Sequence, residues 1–171
     1  VGGAGFRTLV NYGTYGGGVK VFPVTASFGE CADPWECGAS SPSAPPLLIY
    51  RFLVEHSGAY QVELLAAPVN SPVQGKGLRL QVSVEGAGTR TAELVKRDFR
   101  AGDCRDEDWC RGALDQIRSA AVRFELEAGI HRLAIGAVEA GTVLERIRVY
   151  PADRQLPESY LGPEESFRFR G

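Results

Sequence analysis

Methionine is absent from this chain, and histidine occurs only twice, as His56 and His131. No Gly-x-Ser-x-Gly nucleophile elbow accompanies either imidazole, so the sequence offers no Ser-His-Asp arrangement to build on. Long apolar runs are also missing. None approaches the roughly 20 residues that a membrane-spanning helix requires. Charge of one sign is not in excess: 19 basic and 21 acidic residues leave a formal net charge of −2. A nucleic acid or polyanion partner is therefore not indicated, whereas a small neutral or acidic ligand in a local pocket is compatible with that balance. Gly16-Gly17-Gly18 lacks the strand before it and the helix after it that a phosphate cradle needs. The chain opens at Val1 with no signal-peptide pattern, which suits a piece of a longer polypeptide.

What is present is strand pattern. The 171 residues fit one domain with a hydrophobic core. Leu78-Arg-Leu-Gln-Val-Ser-Val-Glu85 alternates apolar and polar throughout, the signature of a strand with one face on a core and one in water. The same period runs through Tyr60, Val62 and Leu64, and through Val122, Phe124 and Leu126. Residues 47–54 are nearly all apolar and read as a more central strand. Further strands are expected at 19–24, 91–97, 131–138 and 143–150. Turn residues at His56-Ser57-Gly58 and Glu139-Ala140-Gly141 are expected to close hairpins. Residues 112–119 are the one candidate helix, with a strand as the competing reading. Long loops are expected at 25–46, 67–77 and 98–111. Many short strands with Gly- and Pro-rich turns predict an all-β antiparallel sandwich with little helix. The expected division is a sandwich over residues 1–150 and a tail over 151–171 that packs back on it.

Two of the long loops carry the chemistry worth weighing. Each holds a Cys-x5-Cys pair, Cys31 with Cys37 and Cys104 with Cys110. Two local disulfides are the simplest pairing and imply an oxidising compartment. Zinc usually takes tighter pairs, and four free thiols in a reducing cell is the third possibility. Trp35 and Trp109 lie in the same loops, with Asp33, Glu36, Asp106, Asp108 and Arg111 nearby. Flat rings stack on sugar C–H faces and the polar groups meet hydroxyls, so these residues are a candidate carbohydrate platform. The competing structural role is that each Trp packs over its own cysteine pair. Asp103, Asp106, Glu107 and Asp108 cluster as a candidate calcium site, although the spacing matches no EF-hand loop. A glycosidase needs two placed carboxylates, and nothing singles out two among the 21 acids.

Two further residues stand out by phase. His131 shares phase with Leu133 and Ile135 and is expected to point inward as a hydrogen-bonded core residue. Glu145 shares phase with Val143 and Ile147, so a partner for its carboxylate is required. Arg51 or turn N–H groups fit that need better than His131, which the register of a hairpin turning near residue 140 would leave about 13 Å away.

The order Gly58-Ala-Tyr60, Gly129-Ile-His131-Arg-Leu133 and Val143-Leu-Glu-Arg-Ile147 resembles that of galactose-binding-like jelly rolls, a superfamily rich in carbohydrate-binding modules. The tail Ser159-Tyr-Leu-Gly-Pro-Glu-Glu-Ser166 is similar to the Ser-Tyr-Leu-Gly-Pro-Pro-Glu-Ser ending of the C-terminal domain of glycoside hydrolase family 115, with Glu164 in place of the second Pro. The Tyr50-Arg51-Phe52 strand and the Gly16-to-Pro23 segment are similar to that domain too. The acidic cysteine loops are not part of the resemblance. Members of the family are inverting α-glucuronidases that remove (4-O-methyl)glucuronic acid from xylan, and their catalytic acids precede this domain. The resemblance therefore implies a non-catalytic accessory module without a required cofactor, calcium aside. Its implied partners are the catalytic part of the same polypeptide, a second copy through the parent enzyme, and xylan or a glucuronic-acid-containing oligosaccharide. It also implies a secreted, periplasmic or cell-surface bacterial setting. The alternative is a stand-alone carbohydrate-binding module for glucuronoxylan or a related plant polysaccharide.

Overall fold

A computed structural model describes residues 6–14, 17–23, 33–35, 47–103, 105–156 and 163–166. Two-residue alternation builds nine strands: β1 (Arg7–Leu9), β2 (Val19–Val21), β3 (Leu47–Val54), β4 (Gly58–Ala66), β5 (Leu78–Val84), β6 (Gly88–Val95), β7 (Arg118–Leu126), β8 (Gly129–Ala137) and β9 (Val143–Pro151). They form two antiparallel sheets, ordered β1-β2-β9-β4-β7 and β3-β8-β5-β6. The inward phase of each strand makes one core. Val62 and Leu64 from β4 and Phe124 from β7 meet Leu80 and Val82 from β5 and Leu133 and Ile135 from β8, with Phe22 sealing one end. Each such side chain contributes about 1.5–3 kcal/mol by leaving water. The sheets close on each other along one flank, where β6 packs against β7. The opposite flank carries the free edges β1 and β3.

The expected strands are present, with β4, β7 and β6 longer at their N-terminal ends and β2 shorter than expected. The three-residue β1 has too little sequence to show a period. The expected hairpins are corrected. β3 belongs to one sheet and β4 to the other, and the same holds for β8 and β9. The turns at 56–58 and 139–141 therefore arch over the core. Turn residues reverse a chain, but they do not say whether it returns in the plane of its own sheet or over the core. At the second arch Glu139 accepts from Arg79 N–H at 2.8 Å and from the Arg79 guanidinium, tying the arch to the start of β5. The helix is also displaced. It is α1 (Glu107–Asp115), not 112–119, and residues 118–126 are strand.

Glu145 finds the turn partner that its phase requires. It is half-buried beside Gly13 and accepts the Thr14 N–H at 2.8 Å. A β-bulge opposite Leu65 and Ala66 breaks the phase of β9, so Leu144 takes the core position there and Glu145 faces the 11–14 turn. His131 lies in the other sheet. It is half-buried rather than interior, tilted on Phe52 with ring centroids 5.6 Å apart, and its Nε2 bonds the Glu127 carbonyl at 2.8 Å.

Candidate functional site

A single carboxylate caps the start of α1. Asp106 takes the N-cap position, and its Oδ1 accepts the N–H groups of Asp108 (3.0 Å) and Trp109 (3.1 Å). Its Oδ2 accepts the Arg100 N–H at 2.9 Å, which pins the preceding loop to the helix start. These bonds satisfy donors that every helix N-terminus leaves open. They also hold the Asp106 carboxyl below its ordinary range, the Arg100 N–H having the largest influence, then those of Trp109 and Asp108. Asp103 is occupied in the same way by the Arg105 N–H at 3.0 Å. Asp108 pairs with Lys96 at 2.8 Å, and this hydrogen bond, followed by the charge of Asp108, raises the Lys96 pKa.

In the acid cluster weighed as a calcium candidate, Asp103, Asp106 and Asp108 each accept at least one N–H donor, and among the described residues no three His, Cys, Asp or Glu side chains converge on a metal position. What they border is an open polar cleft of about 500 Å³, lined by Lys96, Asp98, Arg100, Asp103, Arg105 and Asp106 among others. Among the described residues no aromatic ring lines it.

Beneath α1 sits a buried arginine that sequence reading missed. Arg118 stacks on Phe99 at 4.4 Å from the ring centroid and donates to the Asp108 carbonyl at 3.2 Å and to Asn70 Oδ1 at 3.4 Å. Gly112 lies directly against its guanidinium, so an alanine there would press on it at 3.2 Å. Burial lowers the Arg118 pKa, yet guanidinium stays charged at any physiological pH. A positive charge held by carbonyls and a ring face is a clamp for the helix. It leaves no signal in a one-dimensional pattern, since its partners come from three separate segments.

The two tryptophans are not brought together. Pro34 and Trp35 are helical, and Asp33 Oδ1 accepts the Trp35 N–H at 2.9 Å. The indole Nε1 donates to Ser83 Oγ at 3.0 Å, and the Arg132 guanidinium covers the ring at 4.8 Å. Arg132 in turn pairs with Glu85 at 3.1 Å. Trp35 thus lies on the outer face of the β5–β8 pair beside the β5–β6 turn, where Ser83 faces Thr89. Trp109, half-buried on α1 rather than on a loop, belongs to the opposite end, where Lys96 follows β6. Five residues of β5 between these ends correspond to about 17 Å. Arg111 is exposed on α1. Glu36, Cys31, Cys37 and Cys104 lie outside the described residues, so neither cysteine pair is described; Cys110 is half-buried in α1.

On the outer face of the larger sheet Glu63 and Arg148 pair at 3.4 Å beside Tyr150, whose pKa is raised by burial and by the Glu63 charge. Arg146 of the same strand donates to the Pro163 carbonyl at 3.2 Å, which places part of the tail against β9.

This architecture is similar in fold to a solved carbohydrate-binding module. The chain is similar to the family 35 module of Abf62 from Cellvibrio japonicus, with TM-score 0.51 and 14% identity over 86% of this chain and 87% of that one. It is an all-β jelly roll of that kind with one short helix. Within that class, residues 1–165 match the glycosyl hydrolase family 115 C-terminal domain, and the chain belongs to that family. It is also similar to BtGH115A, a family 115 4-O-methyl-α-glucuronidase with specificity for decorated arabinogalactans, with TM-score 0.61 and 18% identity. That likeness covers 86% of this chain but 16% of the enzyme, so the chain spans about a sixth of its length. No curated protein matches the chain.

Proposed function

We propose that this domain is a non-catalytic accessory module of a secreted, xylan-active α-glucuronidase-like glycoside hydrolase, and that it works by contacting the rest of its polypeptide. The family match over residues 1–165 carries this reading. The site geometry supports it, because the clustered acids serve as a helix cap, a turn brace and an ion pair rather than as a facing acid–base pair. The cysteine pairs fit disulfides of a secreted protein, and the intact mass before and after reduction tests them. The reading as a whole is tested by comparing the natural polypeptide that contains these residues with the same polypeptide lacking them. The isolated chain is expected to release no glucuronic acid from glucuronoxylan. The full polypeptide is expected to release it, and the truncated one to be less stable or less active. Turnover by the isolated chain would overturn the proposal.

A second reading, a module that binds glucuronoxylan itself, draws on Trp109, Asp108 and Arg111, which α1 carries beside the polar cleft. Calorimetry with xylo-oligosaccharides and glucuronic acid separates the two. Heat at millimolar ligand that disappears in Trp109→Ala favours binding.

A further inference from the structure

The exposed large apolar side chains are unevenly placed. Leu9, Val10 and Tyr12 lie on β1 and its turn, Ile49, Tyr50 and Leu53 on β3, and Ile130 on β8 beside β3. All belong to the flank opposite the β6–β7 closure. Among the described residues only Val73 and Leu114 are exposed to this degree elsewhere. On the outer face of β3 and β8, Leu53 (59% exposed) and Ile130 (65%) are direct cross-strand partners, and Ile49 (51%) lies two positions from Arg51. Between them Arg51 faces Arg132. Glu85 takes Arg132, while Arg51 makes no ion pair among the described residues.

β3 is also an edge strand, and among the described residues nothing pairs with its free side. Its register with β8 runs unbroken over eight residues, without a bulge, and Arg51 is its only charge. A long, flat, apolar edge of this kind invites pairing unless something covers it.

We infer that the β3 edge, with Ile49, Arg51, Leu53 and Ile130, is the docking surface for the rest of the same polypeptide, which meets it with an apolar patch centred on a carboxylate. This rests on the reading of the chain as an accessory domain, and on its covering only 16% of the matched enzyme. A second copy is the poorer occupant. Two-fold pairing of β3 with itself would bring both Arg51–Arg132 pairs into one interface, and like charges in a desolvated contact oppose association. A partner with an acid opposite Arg51 removes that repulsion and supplies a charge-assisted bond.

The test uses the natural full-length polypeptide carrying Leu53→Asp or Arg51→Glu. Differential scanning calorimetry of wild type is expected to show this domain melting together with its neighbour. In either variant its transition is expected to separate, and tryptic cleavage at its boundary to speed up about tenfold or more, the response to a loss of about 1.4 kcal/mol. The 171-residue chain with the same substitutions is expected to melt as its own wild type does, because both positions are exposed in it. Full-length variants indistinguishable from wild type would overturn the inference. So would self-association of the isolated chain that Leu53→Asp abolishes, since the face would then pair with itself. Release of glucuronic acid by the same preparations is read separately. Its absence would sink the assignment to an α-glucuronidase while leaving the docking result to stand or fall by melting and cleavage.

Discussion

Asp106, a half-buried carboxylate, ties α1 to the loop before it. One side chain accepts three backbone N–H groups, two in α1 and one from the loop before it. Its pKa lies below the ordinary 3.8, so the unfolded state binds a proton more readily than the folded state does. The stabilisation it brings is complete above that value and is lost as pH falls through the lower folded pKa. Amide chemical shifts of Asp108 and Trp109 should therefore stay constant from neutral pH to about pH 4 and move together below 3.8. Asp106→Asn keeps the cap without the charge, so its α1 should persist with no acid limb. An unchanged acid limb in that variant would assign it to another group. This carboxylate was visible in the sequence as part of an acid cluster, and its role was not. A capping Asp and a ligating Asp look alike until the N–H groups around them are placed.

At the scale of elements, strand identity was legible and pairing was not. Alternation in 60–64 marks which residues face the core, because burial there has the same period as the pleat, whereas in 78–84 the polar outer face is covered as well, Gln81 and Ser83 being buried. The choice of neighbouring strand depends on contacts far apart in sequence, such as β4 with both β7 and β9, and no local pattern encodes it. The helix was misplaced because its start lies in a stretch read as a polar loop, where the cap resembled a charge run. Gly77 is a case where one element constrains another. It is buried ahead of β5, and a Cβ there would lie 2.2 Å from the Val95 carbonyl oxygen at the irregular end of the β5–β6 pair. The obstacle is backbone, which cannot rotate away. Gly77→Ala is expected to cost about 1–3 kcal/mol by forcing the strands apart. Urea unfolding measures it, and a change within about 0.5 kcal/mol, as at an unconstrained surface site, would show that the ladder end yields freely.

For the whole molecule, the question is whether its aromatic and apolar surface meets sugar or protein, and Trp35 separates the possibilities. Its indole N–H is committed to Ser83, and Arg132 lies over its ring, so Trp35 joins the segment after β2 to the outer face of the smaller sheet. A ring with one face covered and its only donor satisfied serves packing better than stacking on a pyranose. Trp35→Ala should then lower stability by about 2 kcal/mol or more, somewhat less than the ~3–5 of a core aromatic because the side chain is only half-buried. Any heat with xylo-oligosaccharides should be the same in variant and wild type. Arg132 also forms part of the β3–β8 face, opposite Arg51. Loosening Trp35 would free Arg132 to turn toward Glu85 alone and so disturb the adjoining docking surface on the same face of the sheet. In the full-length polypeptide the variant should weaken the junction as well as the domain. A Trp35→Ala chain that melts like wild type but loses a sugar signal would reverse the assignment: the ring would be a ligand platform, and its contacts with Ser83 and Arg132 would give way when a sugar arrives.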